Sequence, residues 1–264
     1  MRLGQLFAIP KVSRRTWEVW RRNKDVFLKT IKVNFIPPII EPLLYLGAIG
    51  FGVGMIVKGD IEGHPWIEFI ATALIAITVM NSSFFECTYA SFVRMYYQKT
   101  FDAIVATPLN VDEVITGEIL WGATRSAISA TIVLGVVTAF GLVHSVLALL
   151  VIPFSFLGGI MFAAMGMCFT AITPKIDTLN YPTSLFITPM FLVSNTFFPL
   201  SSLPSGVQDF ANAAVPLVQV VDVTRGLTYG SLEPSLALNL AWIVIVTLIV
   251  FIISVNQMKR RLIV

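Results

Sequence analysis

Six apolar stretches alternate along the chain with polar interruptions, and each is close to the roughly twenty residues that a helix needs to cross hydrocarbon. They occupy residues 31–57, 67–93, 111–140, 146–173, 178–198 and 235–255. Ahead of them, in residues 1–30, Trp17, Trp20, Phe27 and Leu28 fall with Ile31 within one narrow arc at helical spacing, with arginines on the other side. That pattern predicts an amphipathic helix lying in a membrane interface. No apolar core follows closely behind the first basic residues and no small-residue cleavage site appears, so a cleaved signal peptide is not expected. The expected fold is an all-α integral membrane protein, a single domain over residues 1–264 with six transmembrane helices.

The interruption between the second and third stretches reads RMYYQKTFDAIVATPLNVDEVITGE, from Arg94 to Glu118. Thr100 is placed to cap a short helix, with Asp102 in its first turn, where a carboxylate meets the unpaired amide groups. Phe101, Ile104 and Val105 fall at i, i+3 and i+4, giving one apolar face on a helix too short to be stable alone. Pro108 ends it, because a residue before proline is pushed out of the helical region. Asn110, with Glu113 three positions on, is a capping box for the next helix. A short crosswise helix is therefore expected over residues 98–109. Its apolar face is buried either by a partner protein or by the lipid interface.

The segment over residues 199–234 is too apolar to be a plain loop. A helix from Ser205 to Ala214, a break at Pro216 and a second helix over Val218 to Tyr229 are expected, with Asp222 and Arg225 paired at i and i+3. Neither is long enough to span. They re-enter the outer leaflet, where protein has to cover their ends, or they lie flat on the surface.

Composition agrees with a membrane protein: of 264 residues, 56% are hydrophobic and only 12% charged, too few polar side chains to cover a water-facing surface. The distribution of charge says more than its net of +3. Arg2, Lys11, Arg14, Arg15, Arg21, Arg22, Lys24, Lys29, Lys32, Arg94, Lys99, Lys175, Lys259, Arg260 and Arg261 all fall on one side of the expected topology, against Lys58 and Arg225 on the other. The positive-inside rule then puts both termini and the short crosswise helix in the cytoplasm of a multi-pass protein. Cys87 and Cys168 sit in apolar runs and read as packing residues. No nucleic-acid partner is expected.

Charged groups inside apolar blocks are the usual place to look for mechanism. Glu41, beside Pro42, lies in the first stretch and Glu86, in NSSFFECTY, in the second; Glu86 reads as a packing or gating residue. Glu118 and Arg125, seven apart in the third, share a helical face and suit a structural ion pair, with a proton pathway as the other use. His64 and His144 stand isolated in outward loops. Gly50 and Gly54, and Gly158, Gly159, Ala163 and Gly166, suit close helix packing. Pro182 and Pro189 are expected to kink the fifth stretch. There is no Walker A sequence, zinc-ligand cluster or Ser/His/Asp set, so the chain by itself is expected to hydrolyse no nucleotide and to hold no metal or cofactor.

The order of these parts, with FECTYASFVRMYYQKTFDAIVATPLNVDEVITGEILWGATRS and ITPMFLVSNTFFPLSSLP followed by VPLVQVVDVTRGL, resembles the type-2 ABC transporter permeases over nearly the whole chain. It looks most like the branch that includes nodulation-factor exporters and related glycolipid and drug exporters. The resemblance implies a homodimer in the bacterial inner membrane, served by two separate ABC ATPase subunits that hold ATP and Mg. It makes Thr100 to Pro108 the coupling helix, with Phe101, Ile104 and Val105 in a groove of the ATPase and Arg94, Lys99 and Asp102 at its rim. The Trp17 to Leu28 helix would also press on the ATPase. The transport route would run between the two copies along spans one, two and five, faced by Glu41 and Glu86, and carry a lipid-linked oligosaccharide or glycolipid. A hydrophobic drug is the alternative cargo. A proton-coupled secondary transporter using Glu86, Glu118 and Arg125 is the competing class, although no internal repeat is evident. A membrane scaffold without transport is another.

Overall fold

The computed structural model describes residues 8–57, 59–61, 63–231 and 233–262; the basic residues Arg2 and Lys58 lie outside them. The apolar stretches are helical, as hydrocarbon requires when each backbone polar group must be satisfied within its own segment. In chain order the helices are α1 (Thr16–Lys29), α2 (Ile31–Val53), α3 (Trp66–Tyr97), α4 (Thr100–Val105), α5 (Val111–Ala139), α6 (Val146–Ile172), α7 (176–192), α8 (Ser205–Ala214), α9 (Pro216–Tyr229) and α10 (Pro234–Leu262). Among the described residues, five of them are long and apolar enough to cross a membrane: α2, α3, α5, α6 and α10.

The fifth expected span, 178–198, is shorter than its hydropathy suggests. Helical structure stops at Leu192, so at 1.5 Å per residue α7 reaches about 25 Å. Proline also disturbs it within its length. Pro182 removes a backbone donor and the helix widens into π turns directly behind it, over Thr183–Ile187. Past Val193 the chain turns, with Asn195 in the left-handed region at φ 59°.

Helices α3, α5 and α6 form the centre, with α9 buried along nearly its whole length beside them. Small residues decide how close they come. A Cβ on Gly159 of α6 would sit 2.8 Å from Ser126 Cβ and 2.9 Å from Ala123 Cα of α5, and one on Gly166 would meet Phe84 O of α3 at 2.8 Å. Helix α2 lies outside this centre, burying only Pro42, Leu46 and Gly50.

One end of the bundle gathers the N-terminal segment, the start of α5 and the end of α10. Lys11 N donates to Asp112 Oδ2 at 2.9 Å, Asn256 Nδ2 to Ala8 O at 2.8 Å, and Lys259 Nζ lies 3.0 Å from Asp112 Oδ1. The capping box is formed, with Asn110 N donating to Glu113 Oε2 at 2.8 Å. Two expected caps differ: Thr100 and Ser205 are the first residues of their helices, with Lys99 and Pro204 in the capping positions.

The glycine contacts predict a selective effect on stability. Gly159→Ala should lower the melting temperature of the detergent-solubilised chain by an amount equivalent to roughly 1–3 kcal/mol, because the added methyl meets backbone. Gly135→Ala, where nothing lies within 4 Å, should not lower it. Equal melting temperatures for the two variants would contradict this packing.

Candidate functional site

Two widened turns of α3, Glu86–Ala90 and Val93–Tyr97, carry the acid and the base around which the site is built. Such π segments are frequent at functional positions. Arg94 Nη1 lies 2.8 Å from Glu86 Oε1, and Arg94 Nη2 lies 2.7 Å from Glu118 Oε2 of α5. Glu118 is completely buried. Its carboxylate also accepts from Asn23 Nδ2 of α1 at 2.8 Å and from Ser91 Oγ at 3.0 Å, and lies 3.6 Å from Arg22 Nη2. Glu86 in turn accepts from Trp121 Nε1 at 3.0 Å and lies 3.7 Å from Arg125 Nε.

Glu118 and Arg125 are therefore both ion-paired, but not with each other. Seven residues along a helix is about 10.5 Å of rise, and each group finds a nearer partner on α3. The network joins α1, α3 and α5. Gly117 is what lets α1 in, since a Cβ there would come within 2.6 Å of Val19 Cβ. The face of α1 turned to the bundle is Thr16, Val19, Asn23 and Phe27, while Trp17 and Leu28 of the expected arc stay exposed. Burial pushes the Arg22 guanidinium below its usual range; Glu118 opposes the shift and Arg94 adds to it.

Helix α4 sits at the same end, between α3 and α5. Its apolar face folds back on the chain itself: Phe101 is fully buried in a cluster with Phe92, Met95, Val111, Val114 and Ile115, and Ile104 packs at its margin. Phe101 is thus not free to fill a groove on another protein, because the neighbouring helix ends already enclose the ring. Arg94 is likewise taken up by Glu86 and Glu118 rather than standing at a rim. Lys99, Asp102, Ala103, Val105, Ala106, Thr107 and Pro108 remain exposed. Lys99 holds a left-handed φ of 52°, which sets the corner between α3 and α4. Arg15 Nη1 donates to Pro108 O at 2.6 Å and ties the far side of the loop to the N-terminal segment.

Of the remaining expected site residues, Glu41 is exposed on α2 and borders a cavity of about 320 Å³ whose wall also includes Glu86 and Arg125. Asp222 and Arg225 meet through Asn195, whose Nδ2 donates to Asp222 Oδ1 at 3.4 Å and whose carbonyl accepts from Arg225 Nη2 at 2.7 Å. Arg225 is buried, with its guanidinium carbon 3.7 Å from the centre of the Phe69 ring. The histidines, isolated in sequence, are not isolated in space. His64 Nδ1 and His144 Nε2 lie 3.4 Å and 3.1 Å from the same Glu68 oxygen, and His64 stacks on Tyr229 with ring centroids 3.7 Å apart. The i, i+4 spacing of His64 and Glu68 was the only signal of this in the sequence. Among the described residues no His, Cys, Asp and Glu group is arranged to hold a metal ion.

Residues 14–229 match the family model described as ABC-2 type transporter. The chain is 31% identical to Nodulation protein J of Rhizobium meliloti over 97% of both chains. It is 32% identical to Nodulation protein J of Rhizobium leguminosarum bv. viciae, over 92% of this chain and 93% of that one. An Inner membrane transport permease, YadH of Escherichia coli, is 23% identical over 81% of each. Proteins of this family are non-catalytic permease subunits that pair with a separate ABC ATPase, and ATP and Mg belong to that subunit. The chain belongs to the ABC-2 type transporter family, as the multi-pass membrane permease component of an ABC exporter.

Proposed function

We propose that this permease exports a lipid-linked oligosaccharide or related glycolipid across a bacterial inner membrane, as a homodimer served by two ATPase subunits. The α1 and α4 end faces the cytoplasm, in keeping with the basic residues gathered there. Helices α8 and α9 re-enter the membrane from the outer side, a reading supported by the burial of α9 among α3, α6 and α10.

The observation that carries the coupling role is the exposed face of α4 on a helix anchored from behind. Asp102, Ala103, Val105 and Ala106 are open, while Phe101 is locked into the ends of α3 and α5. In this reading the ATPase groove receives the small residues and Val105, Lys99 and Asp102 meet its rim, and Phe101 and Pro108 hold the helix in place. A push on α4 then reaches α3 and α5 together, since Arg94 and Glu118 join those helices. The same pairs occupy Glu86 and Glu118 with guanidinium groups, which argues against proton carriage by these carboxylates. Glycolipid cargo is supported by the likeness to the Nodulation protein J sequences.

The test is ATP hydrolysis by the chain reconstituted in lipid with its ATPase, with glycolipids and hydrophobic drugs added in turn. Glycolipid stimulation is expected; stimulation by drugs alone would reassign the cargo, and proton-driven transport by this chain alone would remove the reading. Val105→Asp and Ala103→Arg alter exposed positions and should leave folding within about 0.5 kcal/mol. Each should nevertheless lower ATPase copurification about tenfold or more. Undiminished copurification would move the docking site away from α4.

Glu118→Gln addresses the link between the helices. It leaves Arg22 and Arg94 without their shared buried counter-charge and should cost about 3–5 kcal/mol of stability. Arg94→Gln together with Glu118→Gln should recover part of that loss, as a double-mutant cycle in thermal unfolding would measure. Strict additivity of the two changes would mean that the pair is not a structural link.

A further inference from the structure

Beside the ion-pair network lies a cavity of about 650 Å³, walled by α1, α3 and α5 and reaching the start of α4. Its lining mixes two characters. Val26, Phe27 and Val93 give it an apolar side, and Arg22, Arg94 and Arg125 give it three guanidinium groups. Among the described residues two carboxylates, Glu86 and Glu118, pair with those three cations. The cluster therefore carries one positive charge more than its acids neutralise. The surplus is visible in the hydrogen bonds: Nε and Nη1 of Arg22 are buried with no hydrogen-bond acceptor among the described residues, and Arg125 Nε reaches Glu86 Oε2 only at 3.7 Å, beyond hydrogen-bond distance. Leaving buried donors of a charged group unmatched is costly, and an acceptor that arrives from outside the chain would offset that cost. Arg125 stands over the Phe27 ring at 4.9 Å, which holds its plane at the cavity wall.

We propose that this cavity binds one phosphate-bearing anion per chain, held by Arg22 and Arg125 on the guanidinium faces that Glu86 and Glu118 leave open. Planar guanidinium groups match phosphate geometry and form charge-assisted bonds stronger than neutral ones. The apolar wall beside the cations suits an amphiphile, so an anionic phospholipid headgroup with its acyl chains along Val26, Phe27 and Val93 fits both characters of the lining. Free inorganic phosphate would use the same arginines and leave the apolar side unused. An anion here bridges α1 to the α3–α5 pair and stiffens the end of the bundle that carries α4. The site is separate from the cargo and from the ATPase contact proposed above.

The experiment uses the full chain with its ATPase, purified from vesicles of phosphatidylcholine mixed with phosphatidylglycerol, with retained lipid counted by native mass spectrometry. In parallel, thermal unfolding is followed with and without inorganic phosphate in phosphatidylcholine alone. Selective retention of one phosphatidylglycerol per chain, reduced about tenfold or more in Arg22→Gln/Arg125→Gln, supports a headgroup site. Phosphate-dependent stabilisation lost in the same variant, without lipid selectivity, supports the anion site with a soluble ligand. Arg22→Lys/Arg125→Lys keeps the charge and should retain part of the binding, which separates loss of the site from loss of the fold. Val105→Asp should bind as the unmodified chain does even where it releases the ATPase, so the two proposals fail separately. Retention without preference for the anionic lipid and no response to phosphate would overturn the inference, as would selective binding that persists in the glutamine variant.

Discussion

A fully buried carboxylate, Glu118, sets the terms for the end of the bundle where α1, α3 and α5 meet. Placing a carboxylate out of water costs several kcal/mol, and that cost is offset only where the geometry is good and each oxygen has partners. Glu118 has four: Arg94, Arg22, Asn23 and Ser91. They come from α1 and α3, so satisfying one side chain of α5 fixes three helices relative to one another. An apolar residue at the same position would pack as well, but it would leave Arg94 and Arg22 without counter-charge. The pair thus specifies an arrangement more than it adds net stability.

Packing at glycine reinforces that arrangement along the rest of the bundle. Gly117 admits Val19 of α1, Gly122 lies against Cys87 and Ala163, and Gly159 lies against Ala123 and Ser126. Lipid offers no hydrophobic drive to bring helices together, so close approach of backbones at small residues has to supply the contact. The polar network and the glycine contacts lie on the same helix, α5, on neighbouring faces. This makes α5 the member against which α1, α3 and α6 are all registered.

The sequence reveals most of this fold because its elements are long. Apolar runs of the required length mark α2, α3, α5, α6 and α10, and Asn110 with Glu113 marks the start of α5 to the residue. Where several turns compete, the reading is weaker. Hydropathy alone extends the fifth stretch to residue 198, whereas α7 stops at Leu192, ahead of the turn at Asn195. Directions were harder still. Spacing shows that Phe101, Ile104 and Val105 share a face, yet it cannot show whether the chain or a partner covers it, and here the chain covers Phe101. For the same reason Glu118 and Arg125 look like mutual partners in one dimension and take different ones in three. The arrival of His144 at Glu68 joins segments far apart in sequence, and beyond the i, i+4 spacing of His64 and Glu68 no local pattern encodes it.

The uneven burial of the spanning helices has a mechanical consequence. In its most apolar window α3 is 72% buried, whereas α2 is 17% and α10 11% buried. Helices with few buried contacts open and shift at lower free-energy cost than those at the centre. Under the proposed coupling, a displacement of α4 would pass through Phe101 to the ends of α3 and α5, and Arg94 with Glu118 would keep these two moving together. Helix α6 follows, because Gly159 and Gly166 leave no room for sliding without collision. Helix α2 has no comparable hold. Helix α10 is packed along α6, so of the two least buried spans α2 is the looser, and under the proposed coupling the groove between α2 and α3, where Glu41 and Glu86 border one cavity, would be the part whose width a movement of α4 changes most readily.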